Sequence, residues 1–109
     1  MKRGDLVTVA LPGEFGKPRP AVIVQSDLFA NHSTLTIVPV TSTRTPASPL
    51  FRLSLSPSEQ NGLRTPSDVM VDRTMSVRAN RIGKTIGRLD GKDMRRINQA
   101  LALFLGITP

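Results

Sequence analysis

The chain contains no cysteine, no tryptophan and no tyrosine, and has a single histidine among its 109 residues. Without cysteine there can be no disulfide and no thiolate metal site, and His32 alone cannot build a histidine cluster, so no metal and no other cofactor is expected. No apolar run approaches membrane-spanning length, and the N-terminus passes from Met1-Lys2-Arg3-Gly4-Asp5 directly into a short alternating pattern. The reading is a cytoplasmic protein without a membrane segment. At this length the chain fits one compact domain over residues 1–109, with no repeat and no linker.

Acidic residues are also scarce. Fifteen Lys and Arg stand against eight Asp and Glu, a formal charge of +7. The excess is uneven: residues 1–72 hold seven bases and six acids, whereas Arg73 to Arg96 hold eight bases against Asp90 and Asp93. Such a segment suits a polyanion, whether nucleic acid or an acidic protein partner, and it also suits a merely solvated basic surface.

What is present reads mainly as β-structure with one C-terminal α-helix. Asp5 to Leu11 is a β-prone run stopped by Pro12-Gly13. Pro20 to Gln25 is continuously apolar up to Val24, as in a central strand buried on both faces. Leu35 to Val40 forms the next strand, and Thr41 to Pro49, rich in Thr, Ser and Pro, a loop. Phe51-Arg52-Leu53-Ser54-Leu55 alternates, with Phe51, Leu53 and Leu55 inward and Arg52 and Ser54 outward. Asp68 to Asp72 and Ile82 to Leu89 supply two more strands. The closing helix has Asp90 as its cap, Asp93 near its positive end and Gly106 to stop it. Met94, Ile97, Leu101, Phe104 and Leu105 are spaced to dock on the sheet. The sum is a small, strongly curved antiparallel sheet or barrel closed by that helix.

One segment has chemical as well as structural character. In Gly16-Lys17-Pro18-Arg19-Pro20 the prolines fix their own φ and push Lys17 and Arg19 toward extended conformations, so Arg19 is displayed at a strand mouth with little backbone freedom. Its planar fork of donors suits an anionic oxygen. The plainer reading is a surface arginine paired with an acid such as Glu14.

In order along the chain, Arg3-Gly4-Asp5-Leu6-Val7, Arg19-Pro20-Ala21-Val22-Ile23-Val24-Gln25-Ser26-Asp27, Val38-Pro39-Val40-Thr41-Ser42, Gly62-Leu63 and Ile86-Gly87-Arg88-Leu89 resemble the MazF and PemK type of toxin, as does Ala100-Leu101-Ala102-Leu103-Phe104-Leu105-Gly106. That type shares a fold with the CcdB gyrase poison. The resemblance implies a small SH3-like (CcdB/PemK-type) antiparallel barrel that acts as a homodimer. It also implies metal-independent endoribonuclease activity on single-stranded RNA, typically messenger RNA, leaving a 2′,3′-cyclic phosphate and a 5′-hydroxyl, and neutralisation by a cognate acidic antitoxin.

By the same resemblance Arg19 and Thr41 match the catalytic arginine and threonine, and Asp72 matches an acid that some members use for proton transfer. Read from the sequence alone, Thr41 and Ser42 are loop residues ending a strand, and Asp72 is equally a partner for Arg73 or Arg78. Two departures stand out. Met70 occupies a position where some members have an arginine, which leaves either Arg73 in its stead or no such contact. The histidine of some members belongs to a first loop that here reads Glu14-Phe15-Gly16, while His32 lies in a polar turn. For RNA binding the candidates are Lys17, Ser42, Arg73, Arg78 and Arg81. With four Phe and no other aromatic, base stacking would rest on Phe15, Phe29 or arginine planes.

The alternative from a different class is a CcdB-like, non-enzymatic gyrase poison. That function relies on a terminal Trp-Gly-Ile, and this chain ends Leu105-Gly106-Ile107-Thr108-Pro109, without the aromatic anchor.

Overall fold

The computed structural model describes residues 1–11, 17–43 and 50–107. The expected Arg19–Glu14 pair, Phe15 and the loop 44–49 lie outside the described residues. Seven antiparallel strands follow one another: β1 (Asp5–Ala10), β2 (Pro18–Ile23), β3 (Thr34–Thr41), β4 (Arg52–Leu55), β5 (Ser67–Met70), β6 (Met75–Arg78) and β7 (Ile82–Arg88). One helix, α1 (Gly91–Leu105), closes the chain. The strand order is β4-β5-β3-β2-β1-β7, with β6 also on β3.

β3 organises the molecule. One edge pairs with β2, Ala21 opposite Pro39 and Ile23 opposite Ile37. The other edge takes two partners in succession: β6 along Thr34 to Ile37, then β5 at Val40 and Thr41. A single 3-10 turn, Val71–Arg73, carries the chain from β5 to β6. Pro39 falls where one partner hands over to the next, and having no N–H it forgoes no ladder bond there.

The middles of the first three strands are largely apolar because both of their faces are covered there. Leu6, Val22 and Val38 enter one buried cluster with Val69, Val71, Leu89 and Ile97. Their neighbours Val7, Ala21, Ile23 and Ile37 enter a second with Leu35 and Val77. Alternation along each strand therefore feeds two cores instead of one core and solvent. β2 lies between β1 and β3, as expected of a central strand.

The helix starts and stops where local chemistry dictates. The Asp90 carboxylate accepts from the Asp93 amide at 2.8 Å, and Gly106 adopts φ 72°, a left-handed cap that glycine enters without strain. Ile97 and Ala100 are buried and Met94 and Leu101 pack beside them. The expected docking of Phe104 and Leu105 is not found: they are 48% and 58% exposed, although the Phe104 ring meets Phe51 at 6.0 Å between centroids. The reason is length. Fifteen helical residues span about 22 Å, but they lie chiefly against the 3-10 turn Val71–Arg73 and the four-residue β4, so the last turn overhangs. At the other end Arg3 ties the elements together, its Nε donating to the Val24 carbonyl at 2.8 Å and its Nη2 to Asn98 of α1.

Candidate functional site

An open groove of about 780 Å³ lies over the ends of β2 and β3, with β4, β5, β7 and the turn 62–65 as its walls. Its opening has a covalent cause. Val24 donates to the Thr36 carbonyl at 3.1 Å, so every second residue of β2 faces β3, and Val22 stands opposite Val38. The next residue in that series is Pro20, which has no N–H to give to Val40. The β2–β3 ladder ends at Ala21 and Pro39, and Arg19, Pro20, Val40 and Thr41 line the gap beyond it.

Carried two residues further, the same register sets Arg19 and Thr41 opposite each other. Both line the groove, as do Ser42 and Arg73. The Thr41 hydroxyl oxygen accepts from the Thr43 amide at 3.1 Å, which fixes its lone pair and leaves its proton to be donated. Thr41 is the last residue of β3, paired with Asp68, not the first residue of a loop.

Asp72 behaves otherwise than the sequence suggested. β5 ends at Met70, and Asp72 sits in the 3-10 turn, where it does not line the groove. Its hydrogen-bonded partner is Arg52, whose Nε and Nη2 donate to Oδ1 and Oδ2 at 2.7 and 3.0 Å, while Arg73 acts on it through charge alone and Arg78 lies elsewhere. Those hydrogen bonds hold the Asp72 carboxyl below the usual carboxylate range against the opposing cost of burial, and they raise Arg52. A carboxylate held in this state is a poor proton carrier near neutral pH.

Lys17, Arg78 and Arg81 are likewise not on the groove wall. Arg78 pairs with Thr34, at the far end of β3 from Thr41, about 23 Å along the strand. Arg81 closes the 3-10 turn before β7. Lys17 precedes β2 and is exposed. In their stead the groove takes Arg52, Arg64 and Lys84, which the sequence reading did not single out. The signal for Arg52 was half present: alternation with Leu53 and Leu55 set it on the outer face, but its position opposite Met70 across the β4–β5 ladder is non-local. That ladder sets an arginine beside the methionine that departs from the family pattern.

Among the described lining residues there are five cationic side chains and no carboxylate, together with the hydroxyls of Thr41, Ser42, Thr43, Thr65, Thr85 and Ser67, the last of which donates to the Thr65 carbonyl. Gly62 forms part of the wall at φ 72°, and a Cβ there would collide with the Ile86 carbonyl. Among the described residues no group of three or more Asp, Glu, His or Cys side chains could hold a metal ion. No helix is long and apolar enough to cross a membrane.

A small barrel with a cationic, hydroxyl-rich groove over its strand ends defines an anion-binding β-protein. The chain belongs to the PemK-like, MazF-like toxins of type II toxin-antitoxin systems, whose family model matches residues 2–105. It is 42% identical over 108 residues to a probable endoribonuclease MazF of Mycolicibacterium smegmatis, covering 98% of both chains. It is 29% identical over 117 residues to endoribonuclease MazF9 of Mycobacterium tuberculosis, again covering 98% of each. The fold matches a mycobacterial endoribonuclease solved in complex with its cognate antitoxin, with a TM-score of 0.81 at 24% identity, over 100% of this chain and 98% of the other. A MazE–MazF complex from Deinococcus radiodurans matches with a TM-score of 0.76 at 19% identity, over 99% and 98%. These relatives bear the names of endoribonucleases, and the gyrase-poison alternative is not favoured.

Proposed function

We propose that this protein is a toxin endoribonuclease that cleaves single-stranded RNA, messenger RNA in particular, in the groove between β2 and β3. The observation that carries the reading is the convergence of Arg19 and Thr41 on one cationic groove, one from each side of an interrupted ladder. Attack by a substrate 2′-hydroxyl on the adjacent phosphorus needs a donor fork for the charge that grows on the phosphorane, and Arg19 supplies it. The Thr41 proton, free of the Thr43 amide bond, hydrogen-bonds a phosphate oxygen. Ser42 and Arg73 hold the flanking backbone. The reaction requires no metal and yields a 2′,3′-cyclic phosphate and a 5′-hydroxyl. The toxin acts in the cytoplasm as a homodimer, and an acidic segment of a cognate antitoxin silences it by filling the same cationic groove.

The test is cleavage of several single-stranded RNAs in EDTA by the wild type and by Arg19→Ala. The wild type is expected to cut and the variant to lose at least about 100-fold in rate. Equal cutting by the two proteins removes Arg19 from the mechanism, and failure of the wild type on every RNA overturns the ribonuclease reading.

A further inference from the structure

The proposed chemistry makes no use of Arg52, although Arg52 is the groove arginine held by a two-bond carboxylate fork. A guanidinium has five N–H donors in one plane. Here Nε–H and one N–H of Nη2 are taken by Asp72. The end edge, two parallel N–H groups on Nη1 and Nη2, has no hydrogen-bond partner among the described residues and is open to a ligand. The side chain is 15% exposed, so its open part is confined to the groove wall. Asp72 therefore fixes both the plane and the rotation of that edge.

Three features distinguish this group from a phosphate clamp. The Arg52–Asp72 pair carries no net charge, so it adds little to the long-range attraction of a polyanion; Arg64 and Lys84, which also line the groove, supply that instead. Its cross-strand neighbour is Met70, an adaptable apolar side chain that also lines the groove, with Leu63 on the turn beside it. A phosphate gains nothing from such neighbours, whereas the face of a base does. Finally, an arginine locked by a carboxylate loses little freedom when it binds, which favours directional reading.

Resting on the ribonuclease reading above, we propose that Arg52, aimed by Asp72, reads a guanine of the RNA substrate through paired hydrogen bonds to O6 and N7, while Met70 packs against the base. Two parallel N–H donors match those two acceptors, and unstacked bases of single-stranded RNA expose that edge. Arg52 is thus a specificity-determining residue, and Asp72 is a positioning residue that acts through it.

The experiment is digestion of a random single-stranded RNA pool in EDTA, with the cut ends sequenced, using wild type, Arg52→Gln, Arg52→Lys, Asp72→Asn and the Arg52→Gln/Asp72→Asn pair. The wild type should prefer guanine at one position by about 10-fold or more. Arg52→Gln should flatten that preference, as should Arg52→Lys, which keeps the charge but has no paired edge. Asp72→Asn should flatten it too, and the double variant should add nothing further. Replacing that guanine by 7-deazaguanosine should cost the wild type the same factor and cost Arg52→Gln nothing. The salt dependence of binding to a non-cleavable 2′-deoxy oligonucleotide should have the same slope for wild type and for the Arg52→Gln/Asp72→Asn pair, which leaves the local net charge unchanged. Thermal melts of each variant separate loss of reading from loss of fold, and the deaza substitution tests the contact on unaltered protein. A uniform loss over all sequences with a shallower salt slope would make Arg52 a phosphate contact and overturn the proposal. Wild-type cutting without a guanine preference also overturns it while leaving the ribonuclease reading intact, whereas absence of any wild-type cutting defeats both. If Asp72→Asn removes a limb of the pH–rate profile, Asp72 transfers a proton and is not a positioning residue.

Discussion

The two ends of β3 have similar sequences and opposite uses. At Thr41 the strand meets Arg19, Ser42 and Arg73 in a groove. At Thr34 it meets Arg78 across a continuous ladder, and the Thr34 hydroxyl is spent on the nearby His32 ring at 3.1 Å. Both ends offer a threonine and an arginine; only the first has a gap between strands to receive a ligand. A site here is made by interrupting a sheet as much as by collecting charge. The basic stretch from Arg73 to Arg96 makes the same point, since it is not one surface in space. Arg73 and Lys84 join the groove, Arg78 goes to the far end of β3, Arg88 lies 3.6 Å from Asp5, and Arg96 pairs with Asp93 at 3.0 Å.

The contrast between the ends predicts a hierarchy of effects. Arg19→Ala should lower kcat/KM on RNA by roughly 100- to 1,000-fold, while Arg78→Ala and Arg81→Ala together should lower it by no more than about 3-fold, mainly at low salt. Comparable losses from both ends would erase the distinction. Gly62→Ala forces a non-glycine residue into positive φ and against the Ile86 carbonyl, so urea unfolding should register a loss of about 2–4 kcal/mol. Gly106→Ala, where a Cβ meets nothing, should cost only about 1 kcal/mol. Thr41→Val keeps the shape and removes the donor, and single-turnover assays should show a fall of about 10- to 100-fold in kcat. Thr34→Val should stay near the wild-type rate.

The smallest expected effect is a pH dependence. Because folding holds the Asp72 carboxyl below its ordinary range, the unfolded chain binds that proton more readily. The stability that Asp72 contributes is complete above its unfolded value of about 4 and declines as pH falls through the lower folded value. Chemical denaturation should find wild type ahead of Asp72→Asn near pH 6, with the gap closing toward pH 3. A gap that widens in acid would show that the pair does not stabilise the fold.

Much of the fold was legible because its signals are local. Alternation found β1 and β4, apolar continuity found β2, β3 was read between a polar turn and a loop, and Asp90 with Gly106 bounded α1 to the residue. β6 was missed: Ser76 and Arg78 are exposed between Met75 and Val77, and four residues give too short a pattern beside a run of basic side chains. The strand expected through Asp72 stops at Met70 because the chain turns there to change its place on β3. Within the proposed site, Arg19 and Thr41 were singled out by resemblance, while their shared groove follows from β2–β3 register. Arg52 was not legible, since its role depends on what faces it across β4–β5 and on a carboxylate 20 residues away. The overhanging end of α1 was misjudged because helical spacing marks a face and not the extent of the sheet beneath it.

Pro20 has a consequence beyond shaping a loop. A residue with an N–H there would extend the ladder by one bond to Val40, a net gain of about 1 kcal/mol, and would draw shut the cleft in which Arg19 and Thr41 face each other. The sheet thus gives up a little cohesion at one seam, where Val40 lines the cleft among cationic side chains. Access to the groove is therefore set by one covalent feature of the backbone and not by the cations that line it.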